Sequence, residues 1–141
     1  MEQPAHLMAL DIGDRRIGIA VSDSGILATP HSVLHRKSKK EDFAKLQQLM
    51  RLLETELVIV GIPYSLSGHE KIGPQARRVM RYAAALADVI EVPIEYFDES
   101  YSTVEAENYL HAAGQKRVPI DAAAAAVILQ NYLNTVENDF A

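Results

Sequence analysis

The chain has no cysteine among its 141 residues. Disulfides and thiolate metal sites are therefore excluded, and any metal is left to oxygen or imidazole ligands. Nor is there a run approaching the roughly 18 apolar residues that cross a bilayer. Residues 1–6 (MEQPAH) lack the basic and apolar regions of a signal peptide, so a cytoplasmic protein with no membrane partner is expected. An excess of positive charge is missing too: the net charge is −5, whereas non-specific nucleic-acid binders carry a basic face or a high pI. A nucleic-acid function would need its basic residues concentrated locally. Internal repeats, a His/Cys ligand cluster and a G-x-S-x-G nucleophile turn are also absent. What remains is ordinary globular composition, 48% hydrophobic and 23% charged, which argues against disorder. The length suits one domain over residues 1–141 with a core that needs no staples.

The organising stretch is His6 to Asp23, HLMALDIGDRRIGIAVSD. Two β-rich runs, Leu7 to Ile12 and Ile17 to Val21, flank a short polar turn with Gly13 and Gly18 at its borders, which reads as a hairpin. Ile26 to Leu34 reads as a third strand, confined by Pro30 to an edge or a bulge. The basic connector His35 to Lys40 (HRKSKK) is either a solvated loop or a phosphate-contacting patch. From Glu41 to Glu54, Phe43, Leu46, Leu49, Met50 and Leu53 form one helical stripe. Leu57 to Val60 reads as a buried parallel strand ended by Gly61-Ile62-Pro63. A helix is expected from Pro74 to Ile90, with Val79, Tyr82, Ala83 and Leu86 on its apolar side, and a strand from Val92 to Phe97. Ser102 to Glu105 fits a capping box, which predicts a helix from Thr103 to Ala112. A last helix opens at Pro119 and Asp121 and runs to about Val136, with a frayed tail beyond it. The order β-β-β-α-β-α-β-α-α predicts an α/β fold, a mixed five-stranded sheet flanked by helices.

In such a sheet, functional groups gather beyond the carboxyl ends of the parallel strands. Asp11 lies near the end of the first strand among apolar neighbours, where an unpaired charge costs several kcal/mol. Asp98-Glu99 closes the last strand, and Asp121 opens the final helix, where an acid also complements the helix dipole. Two or three converging carboxylates without cysteine suit a hard cation, Mg²⁺ or Mn²⁺. Strand alternation does not choose between Asp98 and Glu99.

Four blocks carry a resemblance: Leu10 to Gly13 with Arg16 to Ala20; Val60 to Pro63 with Gly68 and Gly73-Pro74; Asp98-Glu99 with Ser102 to Ala106; and Asp121-Ala122 with Ala124-Ala125 and Ile128-Leu129. Together, from about Leu7 to Leu133, they resemble the YqgF family, described as candidate Holliday junction resolvases and assigned to nuclease processing of the 16S ribosomal RNA precursor. The resemblance implies a ribonuclease H-like fold and a catalytic and metal-binding triad at Asp11, Glu99 and Asp121. It implies a divalent-metal-dependent nuclease that matures the 5′ end of the precursor, or else resolves branched DNA. The implied partners are structured nucleic acid and the ribosome, with the protein a monomer or homodimer. Arg15, Arg16, Lys116 and Arg117 lie nearest the acids in sequence and are the expected phosphate contacts. Where the family usually continues Asp-Glu with arginine, this chain has Ser100, and its basic link before the last helix is shortened to Lys116-Arg117. Two other classes compete. A phosphotransferase of the actin and sugar-kinase type shares an Asp-x-Gly after a strand but needs two such domains. A non-catalytic member of the fold would bind RNA or a protein without metal-dependent cleavage.

Overall fold

The computed structural model describes residues 3–64, 72–99 and 119–140. Five strands, β1 (Leu7–Ile12), β2 (Arg16–Ser22), β3 (Thr29–His35), β4 (Leu57–Ile62) and β5 (Ile94–Asp98), form one sheet in the order β3-β2-β1-β4-β5. β1, β2 and β3 pair antiparallel, while β1–β4 and β4–β5 are parallel. The helices α1 (Lys39–Leu52) and α2 (Pro74–Ala87) belong to one face, and α3 (Ile120–Phe140) covers the other. The strands that carry Asp11, Val60 and Phe97 are thus consecutive parallel neighbours.

Alternation along the strands sorts the residues between two cores. Met8, Leu10, Ile12, Ile17, Ile19, Val58, Val60 and Ile62 pack with Phe43, Leu46 and Met50 of α1 and Val79, Tyr82 and Leu86 of α2. Leu7, Ala9, Ala20 and Ile59 pack with Ala125, Ala126, Ile128 and Leu129 of α3. The small side chains of that second core let α3 lie close to the sheet. Met8 and Leu10 are fully buried, and burying each contributes about 1.5–3 kcal/mol. A slip of one residue in β1 would turn both to the wrong face, so these apolar residues fix Asp11 on the face that α3 covers.

Several boundaries differ from the sequence expectation. The third strand starts at Thr29, not Ile26, and Ile26 and Leu27 are exposed. Pro30 sits on an edge strand opposite Ala20 at a shift in register, so both of its expected roles are met. The first long helix starts two residues early, because the Ser38 side chain accepts from the Glu41 N–H and caps it. β4 continues through Gly61 to Ile62 instead of stopping at Val60. The second helix ends at Ala87 rather than Ile90, and β5 begins at Ile94 rather than Val92. α3 stays helical to Phe140 where a frayed tail was expected. The capping box at Ser102 and the helix expected from Thr103 to Ala112 lie outside the described residues. Among the described residues, no helix is long and apolar enough to cross a membrane.

Candidate active site

Asp11 stands one residue from the end of β1, and its cross-strand partner on β2 is Gly18. A Cβ at Gly18 would run into the backbone carbonyl of Asp121. The first turn of α3 therefore rests on the bare backbone of β2, beside Asp11. The other neighbouring strand repeats the device. Gly61 of β4 follows the Leu10–Val60 pair, and a Cβ there would lie 2.5 Å from Ile128 Cδ1 and 3.2 Å from Glu99 Oε2. Glu99 is turned over that gap, its backbone N–H donating to Ile62 O at 3.1 Å. Asp11 is thus flanked by two glycines, one beneath Asp121 and one beneath Glu99. A glycine inside a strand often marks such a close approach. Both glycines stand in the sequence blocks, yet what packs over them could not be read there.

The electrostatics show the same neighbourhood. Burial, and then the charge of Asp121, raises the Asp11 carboxyl above its ordinary value. Burial raises Glu99 further, to about 7, with Asp11 and Asp98 adding to it. Asp11 is therefore coupled to both of the other acids, which is what like charges brought together without a cation produce. The acids are not closed into a cage: among the described residues no group of three acids or histidines is gathered closely enough to hold a metal ion. One oxygen of Asp121 is taken by Arg16, whose Nε donates to Oδ2 at 2.9 Å. Carboxylate oxygens are the donors a hard divalent cation takes, and two of the three acids, Asp11 and Glu99, are raised in pKa by burial and neighbouring negative charge.

Arg16, expected to contact phosphate, is thus held on Asp121 as the first residue of β2. Arg15 is exposed in the turn beside it, and its carbonyl accepts from the Arg36 N–H at 2.8 Å. Lys116 and Arg117 lie outside the described residues.

This sheet order, with an acid on the central strand and others just past the edge strand β5 and at the start of the last helix, is that of a ribonuclease H-like fold. The model of the RuvX family, described as Holliday junction resolvase, matches residues 5–135. A protein of Thermoanaerobacter pseudethanolicus named "Putative pre-16S rRNA nuclease" is 38% identical over 139 residues, covering 94% of this chain and 99% of its own. A protein of the same name from Synechocystis is 37% identical over 139 residues, covering 95% of this chain and 90% of its own. Among solved structures, T. thermophilus RuvC in complex with a Holliday junction substrate superposes with a TM-score of 0.63 at 16% identity, covering 94% of this chain and 95% of that one, a likeness of fold. The chain belongs to the RuvX family, the family whose motifs its four sequence blocks resemble.

Proposed function

We propose that the protein hydrolyses phosphodiester bonds in structured RNA, using a divalent metal ion, Mg²⁺ or Mn²⁺, held by Asp11, Glu99 and Asp121. The substrate we assign is the 16S ribosomal RNA precursor at its 5′ end, which implies a cytoplasmic protein working beside the ribosome. The observation that carries this reading is the placement of Asp11 between two glycines that let Asp121 and Glu99 approach it. Asp11 meets the negative charge of Asp121 and adds its own to Glu99, and a cation relieves that repulsion. When bound, the metal supplies positive charge where the attacking and leaving oxygens of a phosphodiester become negative.

The chain's own groups do the rest. Asp11 is fixed by a strand whose register the core determines. Glu99, with its pKa near 7, exchanges a proton with solvent at neutral pH, so metal and proton compete for it. Arg16 orients Asp121 through Nε and leaves its terminal nitrogens to a phosphate. Arg15, Lys116 and Arg117 add phosphate contacts that supply affinity without reading sequence.

The test is incubation with Mn²⁺ or Mg²⁺ and three substrates: precursor 16S ribosomal RNA, single-stranded RNA and a four-way DNA junction. Metal-dependent cleavage of the precursor, lost in Asp11→Asn, is the expected result. Cleavage of the junction alone would replace RNA by branched DNA as the substrate. Binding without cleavage under every condition would make the protein a non-catalytic member of the fold.

A further inference from the structure

The opposite face of the sheet carries a concentration of charge that the acids do not account for. Arg36 and Lys39, from the link between β3 and α1 and the start of α1, meet Arg78 and Arg81 of α2 around Tyr82. With Asp14 they line an open cleft of ≈ 210 Å³. In a chain of net charge −5, four cations on one concave surface run against the overall balance. Arg78 and Arg81 are three residues apart on α2, so they share a helix face.

Among the lining residues one carboxylate, Asp14, stands against four cations. Arg78 Nε lies 3.6 Å from Asp14 Oδ1 in a pair exposed to water, a geometry worth little. Among the described residues, neither Lys39 nor Arg81 has a carboxylate partner. Asp42, behind Tyr82, is buried and already accepts from the Tyr82 hydroxyl and the Lys37 N–H.

Arg36 is held in place before any ligand arrives. Its backbone N–H donates to Arg15 O at 2.8 Å, its Nη1 donates to Gly13 O at 2.6 Å, and its guanidinium lies 4.2 Å from the centre of the Tyr82 ring. A solvated arginine on an ordinary surface has no such restraints. A guanidinium fixed in this way is a prepared fork for phosphate oxygens. Gly13 and Asp14 belong to the turn that directly follows β1, so the cleft starts at the sheet edge whose other side carries Asp11.

We propose that this cleft binds the backbone phosphates of the RNA strand as it passes over the β1–β2 turn, away from the bond that is cut. The proposal rests on the nuclease reading of the acids. A backbone suits the cleft better than a base. Arg36 covers one face of Tyr82, and the ring also meets Phe43 edge-on at 5.1 Å, so it is not a free stacking platform. Arginine and lysine then give affinity without base preference.

The experiment is fluorescence anisotropy with a labelled RNA hairpin bearing single-stranded flanks, in EDTA, over a series of KCl concentrations. Each phosphate contact removed should lower the slope of log K against log salt by about 0.7 on single strands and 0.9 on duplex. Arg78→Ala/Arg81→Ala is therefore expected to bind more weakly, with a slope lower by about 1.5. Should that variant fail to fold, Lys39→Ala and Arg81→Ala each provide a single-contact reading. Lys45→Ala, outside the cleft, is the control and should leave the slope nearly unchanged. An unchanged slope in the cleft variants, an equal change in the control, or no RNA binding by the wild type overturns the proposal. So does displacement of RNA by inorganic phosphate beyond that caused by chloride at matched ionic strength, which would assign the cleft to a small phosphate ligand. Wild-type cleavage with Mn²⁺ is scored separately. Cleavage with an unchanged slope removes the cleft and keeps the nuclease, whereas a lowered slope without cleavage does the reverse.

Discussion

Asp11 is costly where it stands, and the cost has a direction. Its charge is disfavoured by burial and by Asp121, so Asp11→Asn removes a repulsion along with a proposed metal ligand. The metal-free variant is expected to be at least as stable as the wild type in urea while losing cleavage. A large loss of stability would mean instead that the charge is needed by the fold. Glu99 makes the same point through pH. Its pKa is 4.5 in the unfolded reference and about 7 in the folded protein, so between those values the folded state binds more protons than the unfolded state. Stability of the metal-free protein should therefore fall as pH rises through that window and level off above it. Glu99 is only partly buried, and water screens the effect, so the sign is the prediction. Urea midpoints in EDTA from pH 5 to 8 should show the decline in wild type and a shallower one in Glu99→Gln. Equal slopes would place the coupling elsewhere.

The geometry of the site is set by secondary-structure elements, and its weakest tolerance is at the two glycines. Gly18→Ala pushes a methyl group against the backbone of the first turn of α3, and backbone cannot move aside as a side chain does. Overpacking of this kind costs about 1–3 kcal/mol, and it moves Asp121 with the helix, so cleavage should fall along with the melting temperature. Gly61→Ala meets mainly the end of the Ile128 side chain, which can turn away, so its stability loss should be smaller and its effect on cleavage should come through Glu99. Equal stability losses in the two variants would contradict this picture. On the far face, Asp42→Ala strands the Tyr82 hydroxyl and the Lys37 N–H. Leaving such groups unpaired costs about 1–3 kcal/mol, readable as a lower urea midpoint. The elements themselves were legible where periodicity was strong: the stripe of Phe43, Leu46 and Met50, or the run from Val58 to Val60. Their ends were not, because ends depend on contacts distant in sequence. Ile26 and Leu27 look like strand but are exposed, the edge strand beginning only after the neighbouring Ala28 N–H and Ile26 carbonyl are taken by Gln130 of α3. Gly61 looks like a breaker, yet β4 passes through it.

At the scale of the whole molecule, the sheet brings to one edge three acids separated by most of the chain, and it divides the edge into an acidic side and a basic side. The acids could be nominated from the sequence because Asp11 sits among apolar residues and because four motif blocks occur in register. Their mutual approach could not, since it depends on what stacks above Gly18 and Gly61. Of the basic cleft, only the connector His35 to Lys40 stood out in the sequence; the fold sets Arg78 and Arg81 of α2 beside Arg36 and Lys39. The central claim is that Asp11, Glu99 and Asp121 constitute a single cation site. The direct measurement is the melting temperature during a Mn²⁺ titration of wild type and Asp11→Asn. A ligand at about 100 times its dissociation constant stabilises by about 2.7 kcal/mol, and losing a direct ligand should weaken affinity by at least the 10–100-fold seen for supporting groups. The wild type is therefore expected to show a saturable rise that Asp11→Asn shows only at ten-fold or more higher Mn²⁺. The same rise at the same concentrations in both proteins, or no rise in the wild type, would contradict the claim.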